Sequence, residues 1–196
     1  MLYSFIQRLG RFIFYFLGLK SEGLHNLPRS GSVIIASNHV SNWDPVVVGL
    51  VLNRPVHFMG KAELFENKIL AKLCTELNAF PVKRGTADRN AIRKALKVLE
   101  EGNVLGIFPE GARNTTGDMK AQSGVAMIAL KSGAPIIPVA CLGTKGMLPC
   151  GWSKPLLVRV GEAIYLDEFR GKKVSSMHME QLSEDIMNKI NSLLYK

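Results

Sequence analysis

A histidine and an aspartate stand close together in the segment Asn38-His39-Val40-Ser41-Asn42-Trp43-Asp44-Pro45. In a loop that turns into a helix, this spacing can bring the Asp44 carboxylate to one imidazole nitrogen of His39. The carboxylate would fix the tautomer and stabilise the imidazolium, which leaves the other nitrogen as a general base near neutral pH. A structural interpretation stays open, because Asp-Pro is also an ordinary helix start with Asp44 as N-cap.

Two later segments carry charges that suit a phosphate-bearing ligand. In Phe80–Gly85, a lysine and an arginine precede a glycine. The lysine supplies a point charge, the arginine supplies two parallel hydrogen-bond donors, and the glycine allows a phosphate to approach the backbone closely. In Phe108–Asn114, a glutamate and an arginine flank another glycine and could bind a hydroxyl and a phosphate. Each segment alone also fits a solvated surface or a plain turn. The candidate binding residues are Lys83, Arg84, Gly85, Glu110, Gly111 and Arg113, with Lys120 as an additional phosphate or membrane contact.

The charge and hydropathy of the chain favour a partner that carries both phosphate and apolar surface. The 196 residues include 25 Lys and Arg against 16 Asp and Glu, which gives a net charge of +9. A basic surface fits nucleic acid, anionic lipid or a phosphorylated small molecule. A nucleic-acid binder gains little from a mean hydropathy of +0.11, whereas a protein that lies on anionic lipid uses both properties.

Several common chemistries are disfavoured by motifs that the sequence lacks. It has no G-x-S-x-G elbow, Walker A loop or G-x-G-x-x-G fingerprint, which argues against a covalent serine mechanism, NTP hydrolysis and a dinucleotide cofactor. Cys74, Cys141 and Cys150 form no C-x-x-C pair, and no histidine stands at zinc-ligand spacing from them. We therefore expect no cofactor, no metal, no disulfide framework and a reducing compartment.

The N-terminal residues 2–17 predict an amphipathic helix that ends at Gly18. Apolar residues recur at steps of three and four, and polar residues collect on the other side. Aromatic bulk opposite arginine is typical of a helix that lies in the lipid interface. The alternative is a helix whose apolar face packs on the protein's own core. The apolar positions are Leu2, Phe5, Leu9, Phe12 and Phe16; the polar ones are Ser4, Gln7, Arg8 and Arg11.

The rest of the chain predicts strands alternating with helices, and hence an α/β fold with a mainly parallel central sheet flanked by helices. Ligands of such sheets bind in the loops beyond the carboxyl ends of the strands, where the candidate residues stand. The expected strands are Val33–Ser37, Val56–Met59, Val104–Phe108, Ile136–Cys141 and Leu156–Val160. The expected helices are Pro45–Leu52, about 62–77, a segment from Thr86 or Asp88 to Gly102, Gly124–Lys131 and a C-terminal helix through Met179, Leu182, Ile186, Ile190 and Leu193.

Taken together and in this order, the segments resemble the glycerolipid acyltransferase family, and most closely its bacterial 1-acylglycerol-3-phosphate acyltransferases. The likeness runs in order and spacing over about Leu24–Val160. Ala112 and Asn114 stand where the family usually has Thr or Ser, which bears on a hydroxyl contact and on acceptor preference. The matching segments are Asn38–Pro45 for the His-x4-Asp block, Phe80–Gly85 for the second, Phe108–Arg113 for the third and Pro135–Ala140 for the fourth, apolar block.

The resemblance implies transfer of a fatty acyl group from acyl-CoA or acyl carrier protein to the free hydroxyl of lysophosphatidic acid, giving phosphatidic acid. It implies His39 as general base and Asp44 as its orienting partner, with no covalent enzyme intermediate. Lys83, Arg84 and Arg113 would hold the acceptor phosphate. Glu110 would bind a glycerol oxygen or orient Arg113, and backbone donors at the start of the Pro45 helix are candidates for an oxyanion hole.

The expected organisation is an interfacial helix over residues 1–20 and an acyltransferase domain over residues 21–196. The protein would sit peripherally on the cytoplasmic face of the cell membrane, with a phospholipid surface as partner and no nucleic acid. Three alternatives stay open. The acceptor could be glycerol 3-phosphate or another lysophospholipid, His39 and Asp44 could activate water in a hydrolase, or the protein could be a basic nucleic-acid binder without enzymatic activity.

Overall fold

The fold is built on a central β-sheet of seven strands among the described residues. The computed structural model describes residues 2–85, 88–113, 122–145, 155–169 and 175–196. Within them the strand order is β1-β7-β6-β2-β5-β3-β4, and all neighbours are parallel except β6 and β7. The predicted α/β class with a mainly parallel sheet is confirmed. The strands are β1 (Lys20–Glu22), β2 (Val33–Ser37), β3 (Val56–Lys61), β4 (Phe80–Val82), β5 (Val104–Ile107), β6 (Ile136–Leu142) and β7 (Leu157–Val160).

Helices cover both faces of this sheet, as its apolar strands require. The central strand β2 is buried throughout, and its side chains alternate between two cores. Val33 and Ile35 pack in the core that contains α2, whereas Ile34 and Ala36 pack in the core formed with α4, α5 and α6. The helices are α1 (Leu2–Phe16), α2 (Asp44–Val51), α3 (Lys68–Glu76), α4 (Arg89–Glu100), α5 (Gly124–Ser132) and α6 (Ser176–Leu194), with 3-10 turns at Leu24–Asn26, Ala62–Phe65 and Asp167–Phe169.

Three local features differ from the sequence prediction. The helix expected over about 62–77 is divided into the 3-10 turn Ala62–Phe65 and α3. The division follows from Asn67, whose side-chain oxygen accepts from the first N–H groups of α3 and so caps a new helix. Strands β1 and β4 were not predicted, because β1 is exposed and polar and β4 contains Pro81, which edge strands tolerate. Phe80–Gly85 is therefore partly strand and only partly loop.

The N-terminal helix α1 is held on the protein by two of its polar side chains, Gln7 and Arg11, whereas Arg8 is exposed. The Gln7 amide donates to the carbonyl oxygens of Gly49 and Leu52 at 2.8 and 2.9 Å. The Arg11 guanidinium donates to the carbonyls of Leu50 and Leu52. Both side chains thus satisfy the free carbonyls at the C-terminal end of α2. The apolar residues on the other side of α1 are exposed, which argues against packing of that face on the core: Phe5, Leu9, Phe12, Ile13, Tyr15 and Phe16.

No helix in the described ranges combines the length and the apolar character that crossing a bilayer would require.

Candidate active site

The site lies where three neighbouring strands of the sheet end. His39 follows β2, Glu110 follows β5 and Thr144 follows β6. These strands stand in the order β6-β2-β5, so their carboxyl ends bring residues from distant parts of the chain together. The third sequence segment reaches the same edge, because Phe108–Arg113 continues from β5, and the fourth runs toward it, because Pro135–Ala140 lies largely within β6.

His39 and Asp44 form the hydrogen bond that their spacing suggests. The distance from His39 Nδ1 to Asp44 Oδ2 is 2.9 Å. Because a carboxylate only accepts, Nδ1 is the donor of this bond, which in the neutral imidazole leaves Nε2 as the acceptor. The imidazole also stacks on Phe108, with ring centroids 4.2 Å apart, and is 5% exposed. The ring is therefore fixed in one tautomer and one orientation.

The Asp44 carboxylate accepts from four donors. Oδ2 accepts from the backbone N–H groups of Val40 and Ser41, each at 2.7 Å, and from the imidazole. Oδ1 accepts from the Thr144 hydroxyl at 2.5 Å. Asp44 is the first residue of α2, and its side chain turns back onto the His39 loop. The N-cap interpretation of Asp44 is thus replaced by a role in holding this loop.

Two further polar side chains hold the backbone around His39. The Asn38 amide exchanges two hydrogen bonds with the backbone of Cys141, at 2.9 and 2.7 Å, which ties the end of β2 to β6. The Glu110 carboxylate accepts from the His39 backbone N–H at 2.9 Å. The sequence suggested a glycerol oxygen or Arg113 as the partner of Glu110, and it did not predict this bond to the His39 backbone. Together they fix where the imidazole stands relative to the sheet.

Cys141 lies close to the dyad without being suited to nucleophilic attack. Burial, and next the nearby Asp44 charge, raise the pKa of the Cys141 thiol well above its usual range. The reactive form of cysteine is the thiolate, which these surroundings disfavour. The site therefore offers an imidazole base and no activated thiol at Cys141.

A cavity of about 620 Å³ joins His39 to two of the predicted cations. Arg84 and Arg113 line it together with His39. Partial burial, and next the nearby Arg113 charge, lower the pKa of Arg84, so the two guanidinium groups face the same space. Like charges held together without a ligand are costly, and a bound dianion would offset that cost.

The remaining lining of the cavity is largely apolar. It comes from α1, α2, β3 and α3, so the N-terminal helix is part of the cavity wall. Apolar lining with a few polar groups at one location is typical of a site for an amphiphilic ligand. The lining residues outside the charged group include Ile6, Val46, Leu50, Phe58, Met59, Leu64, Leu73 and Leu77.

The other predicted binding residues differ in where they lie. Lys83 is exposed and is not part of the cavity lining, and its backbone N–H donates to Asp88 at 2.9 Å. Gly85 has a φ of 75°, and a Cβ there would meet open space. Gly111 has a φ of 69°, a left-handed conformation that favours glycine, and a Cβ there would lie 2.6 Å from the end of the Gln122 side chain. Lys120, Asn114 and Cys150 lie outside the described residues.

The backbone donors proposed for an oxyanion hole are already occupied in part. The N–H groups of Val40 and Ser41 donate to Asp44. Those of Trp43 and Asp44 donate to the hydroxyl and the carbonyl of Ser41. An oxyanion at this helix start would need donors other than these four.

Sequence reasoning missed Thr144 and gave Asn38 little weight. Thr144 stands 100 residues from Asp44, and a lone threonine after a strand carries no pattern of its own. Asn38 could have been noticed as a polar residue at the end of an apolar strand, where a buried amide needs partners. Within the described ranges, no group of three His, Cys, Asp or Glu residues is arranged to hold a metal ion.

Comparison with known proteins gives three concordant results. The acyltransferase family model matches residues 18–142. The 1-acyl-sn-glycerol-3-phosphate acyltransferase of Bacillus subtilis is 30% identical over 184 residues, which cover 90% of this chain and 92% of that protein. The enzyme of that name from Borreliella burgdorferi is 30% identical over 147 residues, covering 74% of this chain and 57% of that protein.

A solved structure has the same fold. The crystal structure of PlsC, the 1-acyl-sn-glycerophosphate acyltransferase of Thermotoga maritima, superposes with a TM-score of 0.73 and 26% sequence identity. The superposition covers 99% of this chain and 80% of that one. Together with the family match over residues 18–142, it confirms the resemblance that the four segments carry: the chain belongs to the acyltransferase family.

Proposed function

We propose that this protein transfers a fatty acyl group from a thioester donor to the free hydroxyl of 1-acylglycerol 3-phosphate, and so forms phosphatidic acid. The observation that carries the proposal is that His39, Arg84 and Arg113 line one cavity. A base and a pair of cations in one space suit an acceptor that has a hydroxyl and a phosphate a few bonds apart. The names of the relatives in Bacillus and Thermotoga agree with this substrate class.

The chemistry needs one proton transfer and one acyl transfer. His39 Nε2 takes the proton of the acceptor hydroxyl while its oxygen attacks the thioester carbonyl carbon. The C–O bond forms, the tetrahedral intermediate collapses, and the C–S bond breaks. The proton then passes from Nε2 to the departing thiolate. Asp44 holds the tautomer and stabilises the imidazolium that exists between the two steps. A thioester is already activated, so no enzyme nucleophile is required.

The arginines position the acceptor. A phosphate between Arg84 and Arg113 receives charge-assisted hydrogen bonds and places the glycerol hydroxyl toward His39. The apolar lining accommodates acyl chain carbon, at about 0.8 kcal/mol for each CH₂ removed from water. The acyl donor is acyl-CoA or acyl carrier protein, and a parallel assay with each thioester distinguishes them.

The membrane supplies the acceptor. We propose that the exposed aromatic face of α1 lies in the lipid interface on the cytoplasmic side, with the polar face held by α2. Lysophosphatidic acid can then enter the cavity while part of its tail stays in lipid. Because Ile6 and Gln7 also line the cavity, deletion of residues 1–18 would open the site as well as remove the anchor. Substitutions confined to the outer face are the sharper test.

The deciding experiment is acyl transfer from labelled acyl-CoA to lysophosphatidic acid, followed by thin-layer chromatography. His39→Asn keeps an amide donor where Nδ1 stands but removes the base at Nε2. We expect turnover to fall about 10³-fold with the fold retained by circular dichroism. His25→Ala, an exposed histidine in the 3-10 turn Leu24–Asn26, is the matched control and should retain turnover.

Other outcomes would contradict the proposal. Near-parental turnover of His39→Asn would exclude His39 as the base. Thioester hydrolysis without an acylated product would identify a hydrolase. If glycerol 3-phosphate were acylated as well as or better than lysophosphatidic acid in an acceptor panel, glycerol 3-phosphate would replace it as the proposed acceptor. Salt-dependent DNA binding without any acyl transfer would identify a nucleic-acid binder.

A further inference from the structure

The helix α3 is amphipathic, yet none of its residues is buried. Its apolar positions recur at steps of three and four, which normally marks a face that packs on a core. Here that face has no core beneath it. Ile69 is 80% exposed, and Leu70 and Leu73 are also exposed. An exposed, contiguous apolar helix face of this kind marks an interaction surface.

The same face continues into the cavity. Leu73, together with Cys74 and Leu77 on the next turn, lines the cavity that holds His39. Leu64, in the preceding 3-10 turn, lines it too. Because Leu64 and Leu73 are also exposed to solvent, the cavity opens beside this surface. Whatever covers the face therefore meets the entrance of the site.

The cavity beside the face selects the kind of partner. The charges do not, because the three exposed lysines of residues 61–77 are matched by Glu63, Glu66 and Glu76, and Lys61 is paired with Glu63 at 3.0 Å. An apolar face at the mouth of a largely apolar cavity matches the acyl layer of a phospholipid bilayer. The ligand in the cavity and the surface at its entrance would then share one chemistry.

We infer that Leu64, Ile69, Leu70 and Leu73 form a second contact with a phospholipid bilayer, in addition to the aromatic face of α1. This inference rests on the proposed function for its substrate, but the contact itself concerns binding alone. Since α1 and α3 both line the cavity, two contacts would fix its opening against the lipid. Stable attachment generally takes two such signals, because one shallow element binds reversibly.

The test measures vesicle binding. The double variant Ile69→Ser/Leu70→Ser removes apolar bulk that does not line the cavity. We expect it to bind mixed phosphatidylglycerol and phosphatidylcholine vesicles about tenfold or more weakly than the parent in a flotation assay. Met177→Ser changes a residue of α6 that is 71% exposed and is the matched control. Phe12→Ser/Phe16→Ser reports on α1 separately.

A second measurement locates the face directly. Ile69→Trp should show fluorescence quenching by brominated lipids beyond that of the parent, whereas Met177→Trp should not. Equal quenching at the two positions, or parental vesicle binding of the double variant, would overturn the inference. Loss of self-association instead of vesicle binding, seen by light scattering, would make the face a dimer surface and would also overturn it.

The two proposals fail separately. With a short-chain, water-soluble lysophosphatidic acid, the double variant should keep parental turnover, because His39 and the arginines are untouched. If the parent itself transfers no acyl group, the proposed function fails while vesicle binding still decides the role of α3.

Discussion

His39 and the two arginines line one cavity, but the protein holds them in different ways. The His39 ring is stacked on Phe108 and bonded to Asp44, which itself accepts from four donors. Arg84 and Arg113 are exposed and follow strands β4 and β5. This difference suits the proposed roles, because a proton-transfer group must keep one geometry before substrate arrives, whereas a binding group can keep its charge available until the ligand neutralises it. Dyad variants should therefore change turnover, and arginine variants should change acceptor affinity.

The largest effect is expected at the dyad. Asp44→Asn replaces a carboxylate oxygen that accepts hydrogen bonds by an NH₂ group that donates them. The tautomer of His39 and the loop around it are then no longer held. We expect kcat to fall about 10³-fold with the KM for lysophosphatidic acid within a few-fold of the parent. Steady-state kinetics checks this. A raised KM with unchanged kcat would remove the distinction between the dyad and the arginines.

The arginine pair should show the opposite behaviour. Arg84→Ala/Arg113→Ala removes the charge-assisted donors that we propose for the acceptor phosphate, and we expect KM for the acceptor to rise about 100-fold. Acyl-CoA hydrolysis by free enzyme and kcat at saturation should change little. Arg93→Ala, an exposed arginine of α4, is the control. An unchanged KM in the double variant would show that the phosphate binds elsewhere.

A variant of Thr144 tests whether its hydrogen bond to Asp44 contributes to turnover. Thr144→Val is nearly isosteric but removes the hydroxyl that donates to Asp44 Oδ1. We expect kcat to fall about tenfold with KM unchanged, because hydrogen bonds to charged groups contribute roughly 1.5–3 kcal/mol. Thr144→Ser restores the hydroxyl and should recover most of the turnover. A stability loss without any change in kcat would give Thr144 a purely structural role.

The smallest effect is expected at Asp88, which connects the arginine segment to α4. Its carboxylate accepts from the backbone N–H of Lys83 and caps α4 at Ala91 and Asn90, and these bonds lower its pKa. The stabilisation is complete above the ordinary pKa of 3.8 and is lost as pH falls through the lower folded-state pKa.

We therefore expect Asp88→Ala to raise KM a few-fold and to lower the melting temperature at neutral pH, with the difference disappearing in strong acid. Calorimetry between neutral and acid pH checks this. Asp185→Ala, an exposed aspartate of α6, is the control. A melting-temperature difference that persisted in strong acid would mean that the carboxylate charge is not the cause.

The sequence predicted the elements that carry strong local signals. The strands β2, β5 and β6 are apolar and β-branched runs, which only a buried sheet accommodates. The family resemblance rests on four ordered segments and is confirmed by the family match over residues 18–142. The short edge strands β1 and β4 were missed because β1 is polar and exposed and β4 contains a proline. The break before α3 was missed because it depends on one capping side chain, Asn67.

The site was predicted only in part, for a related reason. Residues of one segment can be placed relative to each other by spacing, as His39 and Asp44 were. Thr144 reaches Asp44 only because β6 lies beside β2, and the Glu110 bond to the His39 backbone depends on β5 lying on the other side. The contact of Gln7 in α1 likewise depends on a carbonyl near the end of α2, and no local sequence pattern in α1 predicts this contact.

The helix α2 has eight residues, which span roughly 12 Å at about 1.5 Å per residue. Asp44 stands at its first position, while Gln7 and Arg11 of α1 grip its last carbonyls. On the proposed placement of α1 in the bilayer surface, α2 would set the distance between lipid and imidazole. Only hydroxyls at the matching depth of the headgroup layer could then react, and inserting one residue into α2 would shift that depth and rotate the dyad away from it.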